Sequence, residues 1–299
     1  MKAIIVAGGF GTRLKPLTDE VPKSMVKIIN TPIMEYIINM LRQSGFTDIA
    51  MALGHKSEFI TEHFKDGKDF GVNITYYIED TPLGTGGALK AASGFINGGT
   101  AAAGTNFKDG LEGRHNGNIS NRQSMSTPGN IGENAEKNNL HASLAINEKQ
   151  KIGNYEDDDF LMMNGDAFTD VNLKEFLDFH KAKGSIGTLL LKEVEDVTGF
   201  GVVKLDKNNI ITQFIEKPVN SPEKLINAGI YMLKKEFLDL LPDGKHDISK
   251  DIFPKAVGKI AGFVTDAYWN DIGTLKAYYD TNLYVVANRD KFKETIRGL

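Results

Sequence analysis

The sequence predicts an α/β fold in which helices flank a mixed, mainly parallel sheet that continues into a mostly antiparallel extension. Two patterns in the 299-residue chain carry this prediction. Up to residue 185, short apolar runs alternate with helical segments, as in sheets whose parallel strands are joined by helices. After residue 185, strand-like runs follow one another with little helix between them. Such a succession favours antiparallel pairing, because antiparallel strands need only short connections.

In the first part of the chain, apolar periodicity sets the bounds of each element. Short apolar runs predict strands at 2–7, 48–53, 73–78 and 159–163. Apolar residues at helical spacing predict helices at 31–44, 58–64, 86–96 and 173–183. Gly45 ends the first of these helices, and we interpret Asp170 as a cap for the last.

In the second part of the chain, strands are predicted at 186–191, 201–205, 210–216 and 228–233. Asn208 and Asn209 lie between two β-rich runs, where an asparagine pair is typical of a hairpin turn. We therefore expect these strands to extend the same sheet. An amphipathic helix at 275–288 is expected to close the fold.

The segment 97–154 differs from the rest of the chain in composition. It is rich in glycine, asparagine and serine, and Phe107 is its only aromatic residue. Such a segment buries too little apolar surface to offset the entropic cost of ordering it, about 1–2 kcal/mol per residue. We interpret it as a long surface insertion that is mostly disordered.

Composition excludes several classes of function. The net charge of −4 gives no basic surface for nucleic acid. The absence of cysteine excludes disulfides, thiolate nucleophiles and cysteine-bound metal clusters, and the six histidines have no metal-binding spacing. No apolar run is long enough to cross a membrane, and the five-residue apolar run near the first residue is too short for a signal peptide. We therefore expect a cytoplasmic protein with neither nucleic-acid nor membrane partners.

A glycine-rich turn directly follows the first predicted strand, a position typical of phosphate binding. The turn is built from Gly8, Gly9, Gly11, Thr12 and Arg13. A dinucleotide-binding turn would need a third glycine where Leu14 stands, and the Gly-Lys-Ser/Thr of a Walker loop is absent. A plain tight turn would account for the glycines but not for Arg13 and the later Lys23.

Seven segments of the chain resemble the motifs of the sugar-1-phosphate nucleotidylyltransferases, in that family's order. They are GGFGTRLKPLTDEVPKSMVKIINTPIMEYII at 8–38, EDTPLGTGGALK at 79–90, LMMNGDAF at 161–168, GFGVVKLD at 199–206, FIEKP at 214–218, NAGIYML at 227–233 and WNDIGT at 269–274. The resemblance covers roughly 1–96 and 159–290. The amino-acid sequences of these motifs are most similar to those of the mannose-1-phosphate guanylyltransferases.

This resemblance implies one Rossmann-like nucleotidyltransferase domain over residues 1–299. Residues 1–96 and 155–185 would form its nucleotide-binding part, and 186–299 its sugar-binding part and closing helix. Many members of the family continue into a left-handed β-helix of hexapeptide repeats. Because this chain ends soon after the predicted closing helix, we expect no such domain.

The reaction implied by the resemblance joins a nucleoside triphosphate to a sugar 1-phosphate, giving a nucleotide sugar and pyrophosphate. The acceptor phosphate is already largely dianionic at neutral pH, so it needs no general base. Catalysis would then depend on positioning and on charge stabilisation. Assembly of several copies of this chain into a homo-oligomer is compatible with this reaction.

The resemblance also assigns the candidate site residues by motif position. The implied catalytic residues are Arg13 on the leaving pyrophosphate, Lys23 at the α-phosphate, and Asp166. The implied ligands of Mg²⁺ are Asp166 and Asp271, since two carboxylates with phosphates and waters suit this ion. The implied nucleotide-binding residues are Gly8, Gly9, Gly11, Thr12, Glu79, Gly84 and Thr85. The implied sugar-phosphate-binding residues are Gly201, Glu216, Lys217 and Asn227.

The carboxylate of Glu79 favours guanine, which presents two adjacent N–H donors where uracil and thymine present one. We therefore expect GTP and mannose 1-phosphate as substrates. Heptose-1-phosphate guanylyltransferases and glucose-1-phosphate uridylyl- or thymidylyltransferases remain alternatives. Non-catalytic regulatory subunits of the same fold usually lack the loop arginine or a metal aspartate, and this chain retains Arg13, Asp166 and Asp271.

Overall fold

The computed structural model describes residues 1–98 and 159–296, which are organised around one mixed sheet. The strands are β1 (Lys2–Ala7), β2 (Lys27–Ile28), β3 (Thr31–Pro32), β4 (Asp48–Leu53), β5 (Asn73–Ile78), β6 (Phe160–Asn164), β7 (Ala167–Thr169), β8 (Gly187–Glu193), β9 (Gly201–Leu205), β10 (Ile211–Glu216), β11 (Leu225–Leu233), β12 (Ile260–Val264) and β13 (Trp269–Asp271). The helices are α1 (Ile33–Gln43), α2 (Ser57–Phe64), α3 (Gly84–Ala91), α4 (Ser93–Ile96), α5 (Leu173–Lys183), α6 (Phe253–Ala256), α7 (Leu275–Ala287) and α8 (Arg289–Phe292).

The main sheet has a parallel part and a largely antiparallel part, as the sequence predicts. Strands β6, β1, β4 and β5 are neighbours and run parallel. Strand β11 pairs antiparallel with β6 and continues the sheet to β9 and β10, while β8 pairs with both β11 and β12. The β8–β12 pair is parallel, an exception in an otherwise antiparallel extension.

Both faces of the sheet are buried, which explains why its central strands are apolar except at their ends. In β1, Ala3 and Ile5 face one hydrophobic cluster, which includes residues of α1 and α5. Ile4 faces the opposite cluster, which includes residues of α3 and α6. The layers therefore follow the expected order of helix, sheet and helix.

Several predicted bounds match the structure, while others shift for local reasons. Helix α1 begins at Ile33 rather than 31, because Thr31 and Pro32 pair with β2. The helix predicted at 86–96 begins at Gly84 and is interrupted at Ala92. Strand β11 begins at Leu225, three residues before the prediction, because its first residues pair with the end of β8.

The prediction that Asp170 caps α5 is wrong. The side chain of Asn172 accepts hydrogen bonds from the first backbone amides of that helix. Asp170 instead accepts from the backbone N–H of Tyr268 at 2.8 Å, from Lys291 at 2.7 Å and from the Tyr284 hydroxyl. It therefore ties the end of the fold to the segment before β13.

Most of the predicted insertion at 97–154 lies outside the described residues. The closing helix is α7, which ends at Ala287, one residue before its predicted end. Within residues 1–98 and 159–296, every helix is too short or too polar to traverse a lipid bilayer.

Candidate active site

The candidate site lies where the parallel strands end. The glycine turn at 8–11 follows β1, Glu79 follows β5, and Asp166 comes two residues after β6. Because these strands run parallel, their carboxyl ends share one edge of the sheet, where open α/β sheets bind ligands. The fold thus brings together motifs that are up to about half the chain apart.

A cavity of about 180 Å³, which we call the glycine-loop cavity, opens at this edge. Five predicted site residues line it: Gly8, Gly9, Lys23, Thr85 and Asp166. The other predicted residues of the nucleotide part, namely Gly11, Thr12, Arg13, Glu79 and Gly84, are not in its lining.

A second cavity of about 180 Å³, which we call the strand cavity, lies among the antiparallel strands. All four predicted sugar-phosphate residues line it: Gly201, Glu216, Lys217 and Asn227. Asp271 lines it as well. The strand cavity and the glycine-loop cavity share Thr85, Asn164 and Asp166, so they form two halves of one cleft.

Asp166, Asp271 and Lys23 form a charged cluster at the junction of the two cavities. Pairing of β7 with β13 sets Ala167 opposite Asp271 and so brings the two aspartates together. The Lys23 Nζ donates to Asp166 Oδ2 at 2.7 Å and to Asp271 Oδ1 at 2.9 Å. Burial lowers the pKa of the Lys23 ammonium, but the two carboxylates outweigh burial and raise that pKa overall.

The same two carboxylates are suited to a divalent cation. Both contact one ammonium group, so they can approach a single positive charge from two sides. The described residues contain no cluster of three or more histidine, cysteine or acidic side chains that could hold a metal alone. A pair of carboxylates completed by substrate phosphates and water is the ligand set that Mg²⁺ commonly takes.

The glycine turn places Arg13 beside Gly273. Gly11 has φ +63°, and a Cβ there would lie 3.0 Å from the Thr18 side chain and 3.1 Å from Lys23 Cβ. A larger residue would therefore be strained and crowded at this position. After the turn, Thr12–Leu14 form a 3₁₀ turn. Arg13 is exposed. Its Nη2 lies 3.0 Å from the position that a Cβ on Gly273 would occupy.

Glu79 lies at the back of the glycine turn, next to the start of α3. Its Oε2 accepts a hydrogen bond from the backbone N–H of Leu83 at 3.2 Å. A Cβ on Gly8 would be 3.8 Å from the same oxygen. Burial raises the pKa of Glu79, an effect that the Leu83 amide partly opposes. Glu79 is thus a half-buried acceptor adjoining Gly8 and α3.

Glu216 ends β10 and Lys217 directly follows it, both at the wall of the strand cavity. Lys217 has φ +48°, and its Nζ lies 3.4 Å from Glu216 Oε1. Glu216 Oε2 is buried and has no hydrogen-bond partner among the described residues. Burial raises the pKa of Glu216, although the neighbouring Lys217 lowers it in part. Glu216 Oε2 is therefore a buried acceptor whose hydrogen-bonding capacity is unused among the described residues.

We expect the Glu216→Gln variant to be more stable than the parent chain at neutral pH. A carboxyl group with a raised pKa in the folded state loses stability as pH rises from its ordinary pKa through the raised one, and glutamine lacks this loss. The difference in Tm between the two proteins should therefore grow from about pH 4 to about pH 8. The exposed Glu20→Gln change is the control. An equal difference in Tm at both pH values would contradict the raised pKa of Glu216.

Several residues in the cleft were not singled out from the sequence. Asn164 lines both cavities, and its place in the MNGD motif was the available signal. Phe200 and Trp269 meet edge to face at 5.6 Å in the strand cavity. Asp247 and Ser249 also line that cavity, in a segment that no quoted motif includes.

Comparisons with known proteins agree with the fold. The family model described as Nucleotidyl transferase matches residues 2–105 and 114–288. A mannose-1-phosphate guanyltransferase of Kluyveromyces lactis is 32% identical over 98% of this chain and 68% of its own length. A UTP–glucose-1-phosphate uridylyltransferase of Synechocystis is 32% identical over 93% of this chain and 62% of its own.

Among solved structures, HddC from Yersinia pseudotuberculosis has a TM-score of 0.65 and 25% identity, covering 95% of this chain and 98% of that one. One of its crystal structures is a complex with GMP-PN. The chain thus spans nearly all of HddC, but only about two thirds of the two enzymes compared by sequence. Since the family model matches most of the chain, this protein belongs to the nucleotidyl transferase family.

Proposed function

We propose that this protein is a sugar-1-phosphate nucleotidylyltransferase that converts a nucleoside triphosphate and a sugar 1-phosphate into a nucleotide sugar and pyrophosphate. One observation carries the proposal. The glycine-loop cavity and the strand cavity meet at Asp166, and a cation, the Lys23 ammonium, sits there between two carboxylates. Two phosphorylated substrates held in the two cavities would present their reacting phosphates at this point.

The nucleoside triphosphate is proposed to occupy the glycine-loop cavity. Gly8 and Gly9 have no side chain, so the phosphates can approach the backbone there. Arg13, exposed beside Gly273, would contact the leaving pyrophosphate with its planar guanidinium. Lys23 would neutralise charge that builds up on the α-phosphate, since its Nζ already lies at the junction.

Mg²⁺ is the proposed cofactor, and Asp166 and Asp271 are the residues that would hold it. When bound, the ion would supply charge stabilisation to the phosphates at the junction. Lys23 would then move from the aspartates to substrate phosphate, because its Nζ and the ion compete for the same two carboxylates. No other pair of predicted site residues offers this arrangement.

The sugar 1-phosphate is proposed to occupy the strand cavity. Lys217 would bind its phosphate, and the unpartnered Glu216 Oε2 would accept a hydrogen bond from a sugar hydroxyl. The side-chain amide of Asn227 adds polar atoms to the same wall. The acceptor phosphate then attacks the α-phosphate directly and expels pyrophosphate, with no proton to remove from the attacking oxygen.

GTP and mannose 1-phosphate are the substrates we propose. Glu79, a half-buried acceptor beside the glycine turn, suits the two adjacent N–H donors of guanine. The name of the Kluyveromyces relative and the GMP-PN complex of HddC support the same base. UTP and glucose 1-phosphate are the second candidates, because the Synechocystis uridylyltransferase is equally similar in identity. GTP with a heptose 1-phosphate is a third combination.

An activity panel tests the proposed function. Four nucleoside triphosphates are each combined with mannose, glucose and heptose 1-phosphates in the presence of Mg²⁺, and pyrophosphate release is measured. We expect the fastest release from GTP with mannose 1-phosphate. Faster release from UTP with glucose 1-phosphate would replace this substrate assignment. Binding of the substrates without release in any combination would favour a regulatory subunit and contradict the proposal.

Replacing Lys217 with alanine should raise the KM for the sugar 1-phosphate by about ten- to a hundredfold, as expected when one charge-assisted contact to phosphate is lost. The KM for the nucleotide should change little, because Lys217 lines only the strand cavity. Separate titrations of the two substrates measure the effect. Lys207→Ala, on an exposed lysine in the β9–β10 turn, is the control. A higher KM for the nucleotide alone would overturn the assignment.

A further inference from the structure

A short segment from the second half of the chain is hydrogen-bonded to the start of α3. The backbone N–H of His246 donates to Leu83 O at 2.9 Å. In return, His246 O accepts from the amides of Gly86 and Gly87 at 3.1 and 3.2 Å. The segment 246–249 is therefore anchored to the helix that begins with the GTGG sequence.

The contact between the segment 246–249 and α3 requires glycine at positions of the GTGG sequence that lie against His246. A Cβ on Gly84, which has φ +75°, would lie 2.5 Å from His246 O. A Cβ on Gly86 would lie 2.4 Å from Cδ2 of the His246 ring. Neither distance can be tolerated without movement of the segment. The contact thus gives these glycines a role besides any approach to the nucleotide.

Asp247 connects this anchor to the border between the two cavities. Thr85, which lines both cavities, donates from Oγ1 to Asp247 Oδ2 at 3.2 Å, and its Oγ1 accepts from the Ile248 amide at 3.0 Å. The other carboxylate oxygen, Asp247 Oδ1, accepts from the amides of Ser249 and Lys250 at 2.9 and 3.0 Å. One side chain therefore fixes both Thr85 and the start of the following helical turn.

Ser249 continues the connection to the wall of the strand cavity. Its Oγ accepts a hydrogen bond from Asn227 Nδ2 at 3.2 Å, and the same amide lies 3.0 Å from the Tyr231 hydroxyl. Asn227 Oδ1 accepts from the Gly229 amide at 3.1 Å. Hydrogen bonds thus connect Thr85 to Asp247, Asp247 to the backbone amide of Ser249, and the Ser249 hydroxyl to Asn227.

We propose that Asp247 is a positioning residue that joins the nucleotide half and the sugar half of the cleft into one hydrogen-bonded unit. It acts through Thr85 on one side and through Ser249 and Asn227 on the other. The inference rests on the proposed function for its effect on catalysis. The unit holds the edge of α3 and the wall of the strand cavity at a fixed separation, and transfer between two bound phosphates depends on such a separation.

A double-mutant cycle at Thr85 and Ser249 tests the inference, because Asp247 accepts hydrogen bonds from the Thr85 hydroxyl and from the Ser249 amide, while the adjoining Ile248 amide donates to Thr85. Asp247 itself is left intact because it also caps the turn that follows it. Thr85→Val removes the hydroxyl at nearly constant volume, and Ser249→Ala removes the acceptor for Asn227. Each change should raise the KM for the sugar 1-phosphate about tenfold, and the double variant should be within about twofold of the worse single variant. Thr85→Ser, which keeps the hydroxyl, should restore the parent KM.

Hydrogen exchange at the Gly86 and Gly87 amides gives a second readout that needs no activity. Ser249→Ala lies on the sugar side, yet it should speed exchange at both amides several-fold. Multiplicative effects on KM, or unchanged exchange at these amides, would overturn the inference. If exchange responds as expected but the parent protein turns over no substrate pair, the proposed function fails while the connection stands.

Discussion

Replacing Asp166 or Asp271 with asparagine should lower kcat by at least about a hundredfold, the size of effect seen when one electrostatic stabiliser of a transition state is removed. Each change removes a negative charge from the junction of the two cavities, where both carboxylates contact the Lys23 ammonium. With one carboxylate left, the divalent cation would be held poorly at the reacting phosphates. Pyrophosphate release at saturating substrates measures the effect.

The fold should survive both aspartate substitutions. The two side chains are about one-third exposed, at 35% and 31%, and asparagine has nearly the same shape. Thermal unfolding and circular dichroism of each variant check this expectation. Asp266→Asn makes the same change of charge at an exposed position away from the cluster and is the matched control. Turnover near the parent rate in either cleft variant would remove that aspartate from the metal site.

Replacing Lys23 with methionine should have an effect of similar size, with a loss of at least about a hundredfold in kcat/KM. The Lys23 side chain is only 12% exposed and its ammonium lies between the two aspartates, so its removal takes the positive charge away from the junction. In the nucleotide-free protein, however, the freed carboxylates should bind a divalent cation more tightly than in the parent. We therefore expect the Lys23→Met variant to turn over its substrates more slowly than the parent protein but to bind a divalent cation more tightly.

Titration with Mn²⁺ in the absence of nucleotide, followed by electron paramagnetic resonance, measures the second half of that prediction. Lys27→Met, at an exposed position in the same stretch of chain, is the control. If Lys23→Met binds Mn²⁺ no better than the parent protein, Lys23 and the cation do not compete for the same carboxylates. The proposed movement of Lys23 from the aspartates to phosphate would then be wrong.

The sequence predicts the fold well where burial alone decides the structure. Strands β1, β4 and β5 are buried on both faces of the sheet, so continuous apolar runs mark their bounds. The start of β11 was missed because Asn227 and Gly229 interrupt the apolar pattern where the strand has an irregular register. The cap of α5 was misassigned because Asp170 and Asn172 are both good capping residues, and contacts distant in sequence decide between them.

The site was predictable motif by motif, but not the contacts between motifs. Lys23 reaches partners that are 143 and 248 residues away in the sequence. Thr85 and Asp247 are 162 residues apart, and neither local periodicity nor spacing relates them. The tertiary fold brings these residues together, because the turns and helix that carry them pack at the edge of the sheet where the parallel strands end.

We propose that the acceptor phosphate attacks the nucleotide without a covalent enzyme intermediate. Exchange of labelled pyrophosphate into GTP tests this directly. The two cavities share Asp166, so both substrates can reach the same point in one cleft. With Mg²⁺ present, label should enter GTP only when the sugar 1-phosphate that supports turnover is also added. Entry of label in the absence of any sugar phosphate would reveal a nucleotidyl-enzyme intermediate and contradict the account.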